Sequence, residues 1–359
     1  MEEYLRKSLK FASSGSCARL KAVMGNESGD LDSVISSLVY AYLLHNIAVQ
    51  DTPVVPVLNF LEKELPLKTE VTYYLKKNGI PLDALTFRDT VDLRTVHKSG
   101  KLELVLMDHH VMSKETEILR TSVVQVIDHH PQDPAWMWPS ETTTLKKVGS
   151  CCTLVAEKML ELQPKLLNCQ VAALLYGPIV LDTACFNPAA DKTTELDLQM
   201  AAELERRGVK GSQKDKLFAD LLAARSDVSS LTPSQLLLKD MKVTSGVPMP
   251  GFPILVQEFV NRHGMLAALQ QFCTEHNTGV TVLLGLKIDG DSIKRDLAVF
   301  NMDAEDKAEQ MVSCLMKSRD PELLLEVVET QVPGLQLFNQ LNVKASRKQI
   351  LPVVKHAAQ

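Results

Sequence analysis

Four segments of this 359-residue chain bring carboxylates and imidazoles to places where they can act together. Asp108-His109-His110 directly follows the apolar run Leu104–Met107, and Asp128-His129-His130 directly follows Val123–Ile127. Asp30 and Asp32 lie in Gly25-Asn26-Glu27-Ser28-Gly29-Asp30-Leu31-Asp32-Ser33, a loop that opens a helix. Asp182 follows Ile179-Val180-Leu181 and reads as another strand-end carboxylate. Open α/β sheets take their ligands at such strand exits. Asp30, Asp32, Asp108, His129 and Asp182 form an oxygen-rich set with one imidazole, which suits Mg²⁺ or Mn²⁺ better than a structural Zn²⁺. Two such cations can activate a bridging water and neutralise a phosphoryl group under in-line attack.

Taken singly, each motif has a plainer reading. Asp32 can cap the helix while Asp30 is solvated, although a helix N-terminus also offers amide groups to an anion. His109 and His110 alternate along a strand direction, so at most one of them faces a metal. Asp128-His129-His130-Pro131 can be a polar turn. Its richer reading makes His129 a ligand and His130 a donor to phosphate. Near the C-terminus, Ser346-Arg347-Lys348 is either a solvated basic turn or a grip on a polyanion, Arg347 as a planar fork and Lys348 as a point charge. Asp240-Met241-Lys242 and Lys294-Arg295 receive no role.

The elements that must position these groups alternate in the first half, as in a parallel sheet built by crossovers. Strands are expected at Leu20–Met24 and Val54–Leu58, where Pro56 pushes the latter to an edge. The two strands that deliver the Asp-His-His triplets follow, and Pro178–Asp182 reads as a further apolar run ending in a carboxylate. Helices are expected from Asp32 or Ser33 through Leu44, up to Lys77 before Asn78-Gly79, at Cys151–Leu162, and at Leu167–Tyr176. The pattern turns polar between Asn187 and Ser212. This divides the chain into a metal-binding domain (1–188), a linker region (189–212) and a second domain (213–359). The second domain reads as helices at 214–225, 232–239, 265–275 and 304–316, with strands at Val280–Ile288 and Leu297–Phe300.

Hydrophobic residues make up 45% and charged residues 23%, a globular balance, and the net charge of −5 gives no reason to expect a nucleic-acid-binding surface. The seven cysteines show neither a disulfide framework nor paired zinc spacing, which fits a reducing compartment. Met1–Phe11 lacks the apolar core of a signal peptide, and no run reaches the roughly 18 apolar residues of a membrane span. Cytoplasmic or nuclear residence is the expectation.

The ordered set Asp30-x-Asp32, Asp108-His109-His110, Asp128-His129-His130 and Asp182 resembles the motifs of the DHH phosphoesterase superfamily. Ser346-Arg347-Lys348-Gln349 resembles the smaller DHHA2-type domain shared by family II inorganic pyrophosphatases and cytosolic exopolyphosphatases. The Gly25–Ser33 loop and Val148-Gly149-Ser150-Cys151-Cys152-Thr153-Leu154-Val155 are similar to the prune branch. The resemblance covers essentially the whole chain. It implies an α/β fold with an N-terminal parallel-sheet domain, a smaller C-terminal α/β domain, and an active site in the cleft between them.

It further implies a dinuclear site. Asp30 and Asp108 hold one ion, and Asp32, Asp108, His129 and Asp182 hold the other. His130 contacts the scissile phosphate, His109 supports the site or faces substrate, and Arg347 and Lys348 bind the chain beyond. Family II pyrophosphatases carry a histidine ligand where this chain has Asn26. A neutral amide is the weaker ligand, which argues for exopolyphosphatase rather than fast pyrophosphatase activity. The expected reaction is hydrolysis of terminal phosphoanhydride bonds of short polyphosphates by a metal-bridging hydroxide.

Two rivals stand beside it. A cyclic-nucleotide or oligonucleotide phosphodiesterase needs a base pocket, and only 5% of residues are aromatic. A scaffold acting through signalling-protein partners leaves clustered carboxylates without a purpose, and clustered like charges are costly.

Overall fold

The computed structural model describes residues 1–15, 19–48, 52–290 and 292–359. It divides into two compact units, Met1–Arg225 and Ser226–Gln359. The first contains α1 (Glu2–Ala12), β1 (Leu20–Met24), α2 (Leu31–Ile47), β2 (Val54–Val57), α3 (Thr69–Lys77), α4 (Leu93–Lys98), β3 (Leu102–Met107), β4 (Val123–Asp128) and β5 (Thr143–Leu145). These are followed by α5 (Cys151–Leu162), α6 (Cys169–Asp182), α7 (Glu195–Arg206) and α8 (Lys214–Ser226), whose last residue begins the second unit.

The first sheet has the order β2-β1-β3-β4-β5, and every neighbouring pair is parallel. Strand β1 pairs with β2 on one side and β3 on the other, so the connections run outward in opposite directions from β1. That reversal opens a crevice at the carboxyl ends of β1 and β3, where doubly wound sheets bind their ligands. Alternation supplies a core on each face. Leu20, Ala22 and Met24 enter one apolar cluster with Leu102, Leu104 and Leu106, while Val23, Val105 and Met107 enter the other. Pro56 lies on β2, at the sheet's edge, where its missing N–H costs no ladder bond.

Two regions differ from the pattern reading. Asp182 ends a helix rather than a strand: α6 runs through Pro178 and is buried continuously from Leu174 to Leu181. Gly177-Pro178 before an apolar run resembles a break. A helix enclosed on all sides shows no 3.6-residue periodicity to contradict that reading. Residues 189–212 are not a free connection either. Helix α7 buries Asp197, Ala201 and Leu204 in the first unit, and the division falls after Arg225.

The second unit contains α9 (Pro233–Lys239), β6 (Met241–Thr244), β7 (Val247–Phe252), α10 (Val256–Val260), α11 (Met265–Glu275), β8 (Val280–Asp289), β9 (Ser292–Asn301), α12 (Glu305–Lys317), β10 (Leu325–Val328), β11 (Leu335–Gln340) and α13 (Arg347–Ala357). Its mixed sheet has the order β10-β11-β9-β8-β7-β6. Strands β8 and β9 match apolar runs in the sequence. Strand β7 reads Val-Pro-Met-Pro-Gly-Phe and carries no strand signal of its own; tertiary pairing with β6 and β8 makes it one.

Candidate active site

The loop after β1 places two carboxylates by two helix N-termini. Asp30 caps α2, its Oδ1 accepting the Ser33 N–H at 3.0 Å. Asp32, in the first turn of α2, is buried and accepts the backbone N–H groups of Cys151 and Cys152, the first turn of α5. The amide groups that an external anion would seek are therefore held by the protein's own carboxylates. Gly29 is required here: its φ is +53°, and a Cβ would lie 2.3 Å from Phe60.

Asp108 leaves β3 with φ +60°, a left-handed conformation that costs a non-glycine residue energy. Its Oδ2 accepts from Asn26 Nδ2 at 2.8 Å, but its buried Oδ1 accepts no hydrogen bond. Burial, reinforced by the charges of Asp32 and Asp30, pushes its carboxyl well above the usual range. Asp182 has a buried, unpartnered Oδ2 and is shifted the same way for the same reasons. It also sits at the negative end of α6, which disfavours a carboxylate further. Burial raises Asp32 too, against the pull of His129.

The second triplet is built differently. Asp128 is fully buried and completely engaged. Its Oδ1 accepts the His129 and His130 N–H groups and His130 Nδ1 at 2.7 Å, and its Oδ2 accepts His110 Nδ1. Burial would raise Asp128, but the hydrogen bonds from His130 and His110 outweigh it and hold the carboxyl well below its ordinary value. His110 Nε2 in turn accepts the Asp133 N–H at 2.9 Å, so both ring nitrogens are used inside the protein.

His129 donates from Nδ1 to the Val148 carbonyl at 3.0 Å. Its Nε2 then faces Asp108 Oδ1 at 3.2 Å and Asp32 Oδ2 at 3.7 Å. A lone pair and a carboxylate at that separation repel unless a proton or a cation lies between them. Burial lowers the His129 pKa, but Asp32 and the Val148 hydrogen bond raise it by more.

Asp30, Asp32, Asp108, Asp182, His129 and His130 line one pocket of about 650 Å³, together with Gln132, Lys146, Lys147, Asp191 and Lys192. Asp108, His129 and His130 bring ligand atoms within 4.8 Å of one another. The donor set fits divalent metal: oxygen-dominated, with unsatisfied buried carboxylate oxygens beside one oriented imidazole. Asn26 and His109 are not among the pocket's lining residues. Asn26 stands behind Asp108, and its amide oxygen is taken by Ser28 and Gly29. His109 turns Nδ1 to the Met107 carbonyl, and its Nε2 is buried without a partner. Asp128 and His110 stood out in the sequence only as members of their triplets, with no supporting role assigned, and Asp197 did not stand out at all, since nothing in a lone Asp reports how many N–H groups it will meet.

Residues 21–179 match the DHH family N-terminal domain, and residues 219–357 match the DHHA2 domain. Exopolyphosphatase PRUNE1 of Bos taurus is 36% identical over 94% of this chain and 75% of its own length, and that of Homo sapiens is 35% identical over the same shares. This chain belongs to the prune exopolyphosphatase family. More distantly, a manganese-dependent inorganic pyrophosphatase of Methanocaldococcus jannaschii is 27% identical over 62% of this chain and 66% of its own. The crystal structure assigned to a family II inorganic pyrophosphatase of Methanococcus jannaschii shares the fold, with a TM-score of 0.51 and 22% identity over 94% of this chain and 99% of that one.

In the DHHA2 domain of this prune-family chain, Arg347 opens α13 and is already engaged. Its guanidinium donates to the Asp240 carbonyl at 2.6 Å and to Asp240 Oδ1 at 2.9 Å. Asp240, passed over in the sequence, thus offsets a cation at a helix N-terminus. Lys348 is exposed.

Proposed function

We propose that this protein hydrolyses terminal phosphoanhydride bonds of short inorganic polyphosphates, with two divalent cations, Mg²⁺ or Mn²⁺, at Asp30, Asp32, Asp108, His129 and Asp182. The observation that carries this reading is the pair of buried, unpartnered carboxylate oxygens on Asp108 and Asp182 in the pocket that His129 Nε2 enters. The names of the relatives, exopolyphosphatases and pyrophosphatases, support the same class of bond.

When bound, the cations would neutralise phosphoryl charge and activate water. The chain's own groups do the rest. His130 stands half exposed at the pocket with its pKa raised, first by its hydrogen bond to Asp128, and is suited to donate to a phosphate oxygen. Asn26 presents an N–H to Asp108 rather than a ligand to metal, which favours slow pyrophosphate turnover. Arg347 and Lys348 remain the second unit's substrate-binding residues in this reading.

The test is phosphate release from pyrophosphate, tripolyphosphate, tetraphosphate and long polyphosphate, beside a cyclic nucleotide, in Mg²⁺ and in Mn²⁺. Release from tri- and tetraphosphate that disappears in Asp30→Ala and Asp108→Ala is the expected result. Turnover of the cyclic nucleotide alone, or release unchanged by both substitutions, overturns the reading.

A further inference from the structure

The floor of the pocket is acidic, but one of its walls is not. Lys146, Lys147 and Lys192 line it, and they come from two segments of the first unit that are far apart in sequence. Lys146 and Lys147 follow β5, directly after the bond from the Lys146 N–H to the Asp128 carbonyl at 3.2 Å. Lys192 precedes the Thr194 cap of α7.

These segments are locked together by a buried carboxylate with no part in the metal set. Asp197 accepts the Gly149 N–H at 2.9 Å, Thr153 Oγ1 at 2.6 Å, and both the N–H and Oγ1 of Thr194 at 2.7 Å. It is fully buried. The two backbones also approach closely: a Cβ on Gly149 would lie 3.0 Å from the Lys192 carbonyl oxygen and 2.5 Å from Thr183 Cγ2, which favours glycine here. The same turn gives His129 its partner, the Val148 carbonyl. The backbone segments that carry the lysines are thus tied to the turn that orients a pocket imidazole.

Charge decides what such a wall can hold. Lys146 is paired with Glu157 at 3.0 Å. Lys147 and Lys192 are exposed and have no ion-pair partner among the described residues. Asp191 is the one acidic side chain beside them on the lining. Two divalent cations would cancel the four carboxylates of the floor. They would leave no surplus for a chain whose every added phosphate brings more negative charge.

We propose that Lys147 and Lys192 form an anion subsite on the first unit that holds the phosphates beyond the scissile one. The subsite thereby favours chains of three or more phosphates. This rests on the polyphosphatase reading above and assigns it a determinant of chain length. Ammonium groups bind successive phosphates as point charges, tolerant of chain conformation.

The experiment compares the wild-type 359-residue chain with Lys147→Ala/Lys192→Ala and Lys147→Arg/Lys192→Arg on pyrophosphate, tripolyphosphate and tetraphosphate. For the alanine pair, KM for tetraphosphate should rise about tenfold, the loss of charge-assisted hydrogen bonds at an exposed site. Its kcat should stay within about twofold, the mark of lost binding rather than lost transition-state stabilisation. The shift should shrink on the shortest substrate, and the arginine pair should restore KM.

An unchanged KM at every length, a rise equal at every length, or a uniform fall in kcat overturns the subsite. Wild type that hydrolyses none of these substrates fails the functional reading instead. The wall is then judged by calorimetric titration of tripolyphosphate, where equal binding by wild type and the alanine pair overturns it.

Discussion

The chain writes Asp-His-His twice, and the two copies do opposite work. In Asp108-His109-His110 the carboxylate enters the pocket in a strained backbone conformation with one oxygen unpartnered, while His110 lies buried behind it. In Asp128-His129-His130 the carboxylate is the buried support and the two imidazoles line the pocket. The copies are joined: His110 of the first donates to Asp128 of the second. The cause is position in the sheet. Strand β3 borders the crevice where the strand order reverses, and β4 lies one strand further out. A side chain at the β3 exit therefore meets the groups that follow β1, and an imidazole must reach in from the β4 exit.

The largest expected difference between the copies is in catalysis. Asp108→Asn should lower kcat on tripolyphosphate by on the order of 10³-fold, since under the proposed function it removes a metal ligand worth several kcal/mol. Asp128→Asn should lower it by about 10- to 100-fold, the usual range for a partner that orients ligands. Equal losses from the two substitutions would erase the division of labour.

Stability without metal should reverse the order. With EDTA present, buried like charges strain the fold at Asp108, and Asp108→Asn removes one of them. Its thermal midpoint should rise by about 2–4 °C for each kcal/mol relieved. Asp128→Asn sets an amide N–H against groups that are all donors and should cost about 1–3 kcal/mol. Opposite signs in one melting experiment are the signature; the same sign for both contradicts the geometry. Saturating Mn²⁺ or Mg²⁺ should raise the wild-type midpoint and leave Asp108→Asn nearly unmoved.

The Asp128 contribution has a direction in pH. Its folded pKa is depressed, so its stabilisation is fully present above the unfolded value near ~3.9 and is lost as pH falls towards the folded value. Chemical denaturation of wild type and Asp128→Asn should therefore differ most near neutrality and converge below about pH 4. A gap that widens on acidification would reverse the sign assigned here.

The sheet and the pocket residues were legible because each strand signal ended in a chemical group: Leu104–Met107 before Asp108, Val123–Ile127 before Asp128. Asp182 was found for its carboxylate but assigned to the wrong element, since an enclosed helix and a buried strand share an unbroken apolar run. What Asp128, Asp197 and Asp240 do stayed hidden for a different reason. Their roles rest on how many N–H or guanidinium groups converge on them from distant segments, and spacing carries no record of that.

The smallest effect tests whether support for the pocket extends past Asp128. Trp138 Nε1 donates to the His110 carbonyl at 2.8 Å, and Arg120 lies over both Trp136 and Trp138, 4.5 and 5.4 Å from their rings. This stack fastens the 131–139 loop whose Asp133 N–H holds His110 Nε2. Trp138→Phe keeps a ring for Arg120 but deletes one hydrogen bond, worth about 0.5–1.5 kcal/mol. Activity should fall less than about tenfold, with a matching small drop in midpoint. The chain's two tryptophans both lie in this loop, so their emission reports its packing directly. If Trp138→Phe costs as much activity as Asp128→Asn while emission shows the loop still packed, the backbone at His110 holds the pocket. Asp128 would then be only one of several props.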